Sequence, residues 1–240
     1  MNALDYGTRC RLRELASPGE VYDLQTAAPY FDGLKPIQKI TLTYHSARLM
    51  KSDSNDIILV FDGHGLGDFT GNNFYIVYLR LRVRGLSLAD TQKMHYHLRF
   101  QGRFIIIDEC QVASSFLDAI SVSTESCIGY LTFDKCTFDS SVTPEYFCTN
   151  FKELESPWFK NGCPFKRNWI DAFVDADITN LKFLSFVYAT MEILKIEQKK
   201  LMEFFKKQKN DFVLVMEFQN IENAEHIQPE MLDPEKRPGS

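Results

Sequence analysis

No stretch of this chain is apolar for long enough to be a plain membrane span. The longest greasy segment, Ile178 to Leu194, is interrupted by Lys182 and Glu192, whereas a spanning helix needs about 20 consecutive apolar residues. The opening residues, Met1 to Glu20, lack the apolar core of a secretion signal, so the chain as written reads as soluble. No CxxC pair occurs among the six cysteines. Cys127, Cys136, Cys148 and Cys163 have no histidine at zinc-ligand spacing, which argues against a zinc site. Their even number permits disulfides without showing them and leaves the compartment open. There is no long basic stripe, and the formal net charge is -5, which argues against a nucleic-acid partner. No internal repeat is visible.

What is present is enough for one sizeable core and too little for two ordinary domains: 240 residues, 45% of them hydrophobic and 13% aromatic. Residues 1–55 are punctuated by turns at Pro18-Gly19, Pro29 and Asp32-Gly33. A helix is predicted over Ile37 to Met50, weakened by Thr41, Thr43 and Tyr44. The run Asp56 to Phe61 is apolar without alternation, which predicts a strand buried on both faces, as in a parallel sheet. It ends abruptly at Asp62-Gly63-His64-Gly65. After the turn signal Gly71-Asn72-Asn73, the stretch Tyr75 to Arg84 alternates with period two and predicts one strand with a wetter face.

Ser87 and Asp90 stand at the spacing of a helix start. That helix is expected to run to about Phe100, with Gly102 breaking it. Phe104 to Ile107 predicts a second buried strand, ending at Asp108-Glu109-Cys110, with a helix from Val112 to Ile120 behind it. Strand, helix, strand, helix is the grammar of a doubly wound sheet. Further on, Cys127 to Phe133 predicts a strand and Ser156 to Asn168 a loop. Leu181 to Phe205 predicts an amphipathic helix broken once, and Asp211 to Phe218 a last strand. The tail from Gln219 is polar and is expected to be loose.

Two predicted buried strands each end at a residue able to do chemistry. In an open parallel sheet, ligands bind in the crevice at the carboxyl ends of the strands. If the two strands are neighbours, His64 and Cys110 face one cleft. The thiolate of Cys110 would attack a peptide carbonyl, and the His64 imidazole would pass the proton to the leaving amine. Gly63 and Gly65 allow a sharp turn beside the histidine. The N–H groups of Gly65 and Cys110 would hold the oxyanion, at about 3 kcal/mol per donor. Water would complete hydrolysis of the acyl-enzyme, and an amine would complete a transamidation. Against this stand the plainer readings: a strand-end cysteine that packs, and a loop histidine that is polar surface.

An apolar strand into His-Gly, then an apolar strand into acid-x-Cys, resembles the caspase-like clan of cysteine peptidases. Within the clan the legumain and GPI-anchor transamidase branch is the most similar. Gly63-His64-Gly65 resembles the transamidase GHG, where legumains usually have DHG. Leu88-Ala89-Asp90 and Phe104 to Ser114 are similar to its helix start and its FIIDTCQxAS segment, with Glu109 in place of Thr. Asp139-Ser140-Ser141 resembles the acid-Ser-Ser stretch beside the family's specificity pocket. The likeness covers about Asp56 to Phe218.

The resemblance implies an α/β fold, the caspase-like three-layer arrangement with a mostly parallel central sheet. The family's first strand, with its Arg-His or similar stretch, has no counterpart in residues 1–55. The implied organisation is a divergent or truncated N-terminal segment (1–55), a caspase-like peptidase domain (56–218) and a loose polar tail (219–240). By the same resemblance His64 and Cys110 are catalytic, Gly65 and Cys110 serve the oxyanion, and Asp139 and Ser141 shape the substrate pocket. No metal or organic cofactor is implied. The implied activity is GPI-anchor attachment to protein C-termini in an endoplasmic reticulum membrane complex. Its partners would be a polypeptide substrate, other transamidase subunits and a glycolipid amine acceptor. The rivals are a soluble legumain-like or caspase-like endopeptidase, and a pseudo-enzyme that serves as a subunit of a complex.

Three features stand outside that pattern. Arg80, Arg82 and Arg84 are expected to line the solvated face of an edge strand rather than to meet an acidic partner. His95 and His97 diverge on a helix and are expected at the surface rather than on a metal. Lys195 to Lys209 is expected to be a solvated helix side, with contact to lipid headgroups as the alternative.

Overall fold

The computed structural model describes residues 6–27, 39–62, 65–124, 128–167 and 169–218. Two helices, α1 (Tyr6–Leu15) and α2 (Pro18–Ala27), come first. Six strands follow: β1 (Lys39–Thr43), β2 (Ser46–Lys51), β3 (Ile57–Phe61), β4 (Gly65–Asp68), β5 (Asn73–Val77) and β6 (Arg80–Arg84). Next come α3 (Leu88–His97), β7 (Leu98–Phe100), β8 (Phe104–Asp108), β9 (Gln111–Val112) and α4 (Ser114–Ser123). The remainder is β10 (Tyr130–Asp134), β11 (Thr137–Phe138), α5 (Pro144–Asn150), β12 (Ser156–Lys160), α6 (Trp169–Asp175) and β13 (Phe183–Ala189). A 3-10 turn (Met191–Leu194) then leads to α7 (Gln198–Lys207) and β14 (Val213–Phe218). No described helix is long and apolar enough to cross a membrane.

Among the described residues the main sheet has nine strands in the order β14-β13-β12-β10-β8-β6-β2-β3-β4. From β6 to β14 every pairing is parallel. Each new strand is added on the same side as the last, so the order never reverses along this stretch. Right-handed crossovers that always advance in one direction put their helices on one face. Burial agrees. Leu81, Val83, Ile105, Ile107, Leu131, Phe133, Leu184 and Phe186 are sealed in one core with Met94, Phe116, Phe147, Trp169 and Phe204 of the helices. Their alternate neighbours Arg80, Phe104, Ile106, Tyr130, Thr132 and Trp158 keep contact with solvent. The protein is thus α/β with a mostly parallel central sheet, and among the described residues one sheet face carries no helix. A doubly wound sheet would have required a reversal of strand order.

Several local expectations change for identifiable reasons. No helix forms in the described part of Ile37 to Met50. That part forms β1 and β2, where Ala47 and Leu49 enter the core while Arg48 stays exposed. β2 lies between β6 and β3 in the sheet, so no structural divide falls at residue 55. The stretch Tyr75 to Arg84 is two strands in two sheets, broken at Tyr78, whose N–H donates to Thr43 O. β6 is central rather than an edge, so its arginines lie on the open face of an interior strand. α3 starts as expected, with the Asp90 carboxylate accepting from the Ser87 N–H at 2.8 Å. It stops at His97, and Leu98–Phe100 becomes a strand. Ser156 to Lys160 is a strand despite Pro157, because pairing to β13 begins one residue later, at Trp158. Leu181 to Leu194 holds β13 and the 3-10 turn, leaving α7 as the α-helix.

β1, β5 and β7 form a small parallel sheet. Tyr22 of α2 packs on Phe74 of β5, with ring centroids 4.9 Å apart. α2 meets α3 at Gly19, where any Cβ would stand 2.8 Å from His95 O. His95 is half-buried there, and its Nδ1 has no hydrogen-bond partner among the described residues. Burial, and then the nearby Arg99 charge, hold its pKa below the ordinary 6.5. The folded state therefore resists a proton that the unfolded state accepts. Above about pH 6.5 both states are neutral and this penalty is absent. As pH falls below that value and through the depressed folded pKa, stability is lost. His95→Gln is expected to flatten this part of the acid limb, read as urea midpoints at pH 7.5 and 5. An unchanged difference between the two midpoints would remove His95 from the account.

Candidate active site

β8 carries its apolar residues straight to Asp108 at the carboxyl rim. Glu109 then takes φ 53°, a left-handed conformation that swings the next residue beneath the rim. Cys110 ends 2% exposed. Its thiol donates to Asp108 O at 3.2 Å and points at Val83 O, 3.8 Å away. Burial pushes the thiol pKa up, and hydrogen bonds from the Leu86 and Gly85 backbones only partly oppose it. A nucleophilic cysteine needs the reverse, an accessible sulfur with a depressed pKa.

The turn that hides Cys110 is not peculiar to β8. Arg84, Asp108, Asp134 and Lys160 stand level on four successive strands. Each is followed by a left-handed residue: Gly85 at φ 62°, Glu109 at 53°, Lys135 at 52° and Asn161 at 54°. The N–H of each donates to the next strand over: Gly85 to Asp108 O at 3.0 Å, Glu109 to Asp134 O at 2.9 Å, Lys135 to Lys160 O at 3.0 Å. The residue after each of the first three turns plugs the core: Leu86, Cys110 and Cys136, none more than 4% exposed. The Cys136 thiol repeats the Cys110 pattern, donating to Ile107 O at 3.4 Å and Asp134 O at 3.5 Å. Cys110 therefore fills a slot that leucine fills one strand earlier. The signal was in the sequence, since Asp134-Lys135-Cys136 repeats the spacing of Asp108-Glu109-Cys110.

The loop beyond Cys110 does meet the segment named for the substrate pocket. Thr137 N–H donates to Cys110 O at 3.0 Å, and Asp139 N–H to Val112 O at 2.8 Å. Ser141 N–H donates to Asp139 Oδ1 at 2.9 Å, and this bond leads in holding the Asp139 carboxyl below its ordinary pKa. Ser141 Oγ accepts from Ser114 N–H at 3.0 Å, at the start of α4. Both side chains thus have local work in pinning the turn and capping the helix. Beside them lies an open cleft of about 370 Å³ between Ser87, Leu88, Gln111 and Asp139. Another of about 580 Å³ runs from Asp139 to Cys163, Lys166 and Arg167.

Gly65 is elsewhere. It pairs with Phe61 at the far end of β3, and Phe61 stands level with Ala47, Leu81 and Ile105. β3 runs antiparallel to β2 and hence to β8, so its end faces the amino rim of the parallel strands. Asp62 N–H accordingly donates to Ser46 O at the start of β2. Four strand-to-strand steps separate Gly65 from β8, about 19 Å before any advance toward Cys110. The oxyanion pair expected of Gly65 and Cys110 is not formed. The positive φ of 95° at Gly65 serves the β3–β4 connection instead. Gly63 and His64 lie outside the described residues, and Gly65, to which His64 is bonded, is on the amino rim. The premise that failed is adjacency: β2 and β6 stand between the two apolar strands.

Sequence reading also missed a charged cluster on the carboxyl rim, beside Cys110. Arg84 grips Glu109 through Nε at 3.1 Å and Nη2 at 3.0 Å. Asp108 sits 3.8 Å from both Arg82 and Arg84. The alternating arginines were visible, but the strand facing them was not. No group of three or more His, Cys, Asp or Glu placed to hold a metal occurs among the described residues. Comparison with models of known families, with curated proteins and with solved structures gave no match.

Proposed function

We propose that this chain is a catalytically silent relative of the caspase-like cysteine peptidases, acting as a binding subunit of a larger assembly. One observation carries the reading. Cys110 plugs the core in the slot of Leu86, while Gly65 stands on the opposite rim. The binding role draws on the sheet face that no described helix covers. Parallel sheets are nearly always covered on both faces, and this one presents Phe104, Ile106, Tyr130 and Trp158 half-exposed beside the β6 arginines.

A second reading, the cysteine peptidase or GPI-anchor transamidase, draws on the packing of Asp139 and Ser141 against the Cys110 loop beside open clefts. It takes a polypeptide substrate, a glycolipid amine acceptor and partner subunits at the endoplasmic reticulum membrane. It also requires the sulfur to be released and a base brought to it. Incubation with an electrophilic peptide separates the two. The first reading expects no covalent adduct at Cys110 of the native protein, and the same labelling elsewhere in Cys110→Ala. An adduct that disappears in Cys110→Ala and slows in His64→Ala would replace it with the second. A hydroxamate product on adding hydroxylamine would then specify transfer.

A further inference from the structure

We propose that α7 and its flanks form a peripheral docking surface for membranes carrying anionic lipid. The proposal does not depend on the reading of Cys110. In a chain of net charge -5, the stretch 195–209 gathers Lys195, Lys199, Lys200, Lys206, Lys207 and Lys209 against Glu197 and Glu203. The structure sorts these lysines. Lys207 turns inward, donating to Val174 O at 3.0 Å and Asp177 Oδ1 at 3.1 Å. Lys200 leans 4.0 Å from Asp171 on α6, and Lys195 pairs with Glu192. Lys199, Lys206 and Lys209 are exposed and make no ion pair among the described residues.

The apolar residues are sorted the same way. Phe204 is fully buried against Trp169 and Phe173 and anchors the helix to the body. Met202 is 52% exposed and Phe205 40%. On a helix of 3.6 residues per turn, Met202, Phe205 and Lys206 share one stripe, with Lys199 at its flank and Lys209 just beyond the helix end. Glu203 borders it. The 3-10 turn before the helix leaves Met191 and Leu194 exposed as well. Core packing accounts for Phe204 and Ile193 but leaves these four in water.

Exposed apolar side chains interleaved with unpaired lysines on an anchored helix match a lipid interface, where the apolar tips enter the headgroup boundary and the ammonium groups meet phosphate and carboxylate. Each lysine near an anionic surface strengthens binding about fivefold, and the effect falls off with salt over a Debye length. An acidic peptide would satisfy the lysines alone.

The test is sedimentation of the full chain with vesicles of phosphatidylcholine, with and without about 30% phosphatidylserine. Binding is expected only with phosphatidylserine and is expected to weaken at least tenfold between about 50 and 300 mM salt. Lys199→Glu/Lys206→Glu/Lys209→Glu is expected to weaken binding about 100-fold. Met202→Ser/Phe205→Ser, with the charge untouched, is expected to weaken it about tenfold. All five positions are exposed, and unchanged thermal unfolding of each variant shows that the fold is kept. Equal binding to both vesicle types, or none to either, overturns the proposal. So does a serine variant that binds as the parent does. Capture by immobilised polyglutamate without vesicle binding overturns it in favour of an acidic protein partner.

Discussion

Arg99→Met is expected to lower the free energy of unfolding by about 3 kcal/mol, the size seen when one partner of a buried ion pair is removed. Arg99 is 2% exposed, at the centre of β7. Its Nη1 donates to His95 O at 2.6 Å and Leu98 O at 3.0 Å. Its Nη2 and Nε grip the Asp23 carboxylate at 2.6 and 3.3 Å, and the guanidinium lies 5.7 Å from the centre of the Phe74 ring. Methionine keeps much of the volume, so the loss reports the orphaned acceptors rather than a cavity. Two carbonyls lose a donor, at about 1–3 kcal/mol each where water cannot replace it. Asp23 is half in solvent, so Asp23→Asn is expected to cost less, about 1 kcal/mol. Arg99→Lys should fall between, since one ammonium cannot reproduce a fork that serves two carbonyls and a carboxylate. Equilibrium denaturation of the three variants tests the order. Because α2 is tied to the body through Asp23, protease cleavage in α1–α2 should accelerate in step with the loss. A cost below 1 kcal/mol for Arg99→Met would show that water satisfies those carbonyls.

What the residues announced in advance is whatever neighbours along the chain decide. The β8 run Phe104 to Ile107, the Ser87–Asp90 start of α3, the body of α4 and the strand ending at Phe218 all rest on periodicity or capping within a few positions. The strand order was out of reach for the same reason. An apolar run such as Ile57 to Phe61 reads alike whether it is a central parallel strand or an antiparallel one near an edge, because period alone does not report the partner. In β3, Ile57 and Leu59 face the core while Ile58 and Val60 look onto the open face. A half-covered sheet tolerates them there, and the run imitates a doubly buried strand. Arg80, Arg82 and Arg84 misled in the opposite sense. Charges on one side of a strand suggested an edge, but an interior strand carries them equally well when its second face is open. At the site, the position of Cys110 at a strand end was legible and its burial was not. Burial follows from the left-handed turn at Glu109, and that turn is held by a hydrogen bond to β10, 25 residues on.

That burial sets an expected reactivity. In the native protein, Cys110 should react with a neutral alkylating reagent roughly 1000-fold more slowly than in urea. The sulfur is reached only when the rim opens, and opening a core position costs several kcal/mol. Cys136 and Cys148 should be slow for the same reason, each held by burial with a thiol pKa pushed up to about 12. Cys163 shares that high pKa, but its residue is only half-buried and lines the larger cleft. It should therefore be modified before the other three. Peptide-level mass spectrometry over a time course resolves the order. Cys110→Ala should cost no more than about 1–2 kcal/mol, since only one small group leaves the slot. A catalytic thiol would behave in the opposite way: fastest of the four, with a rate that levels off below the ordinary thiol pKa as pH rises. Had Cys110 been poised for attack, its slot would have had to differ from those of Leu86 and Cys136. The three share one turn and one depth, so alkylation of Cys110 ahead of Cys163 would break the equivalence on which the silent-subunit reading stands.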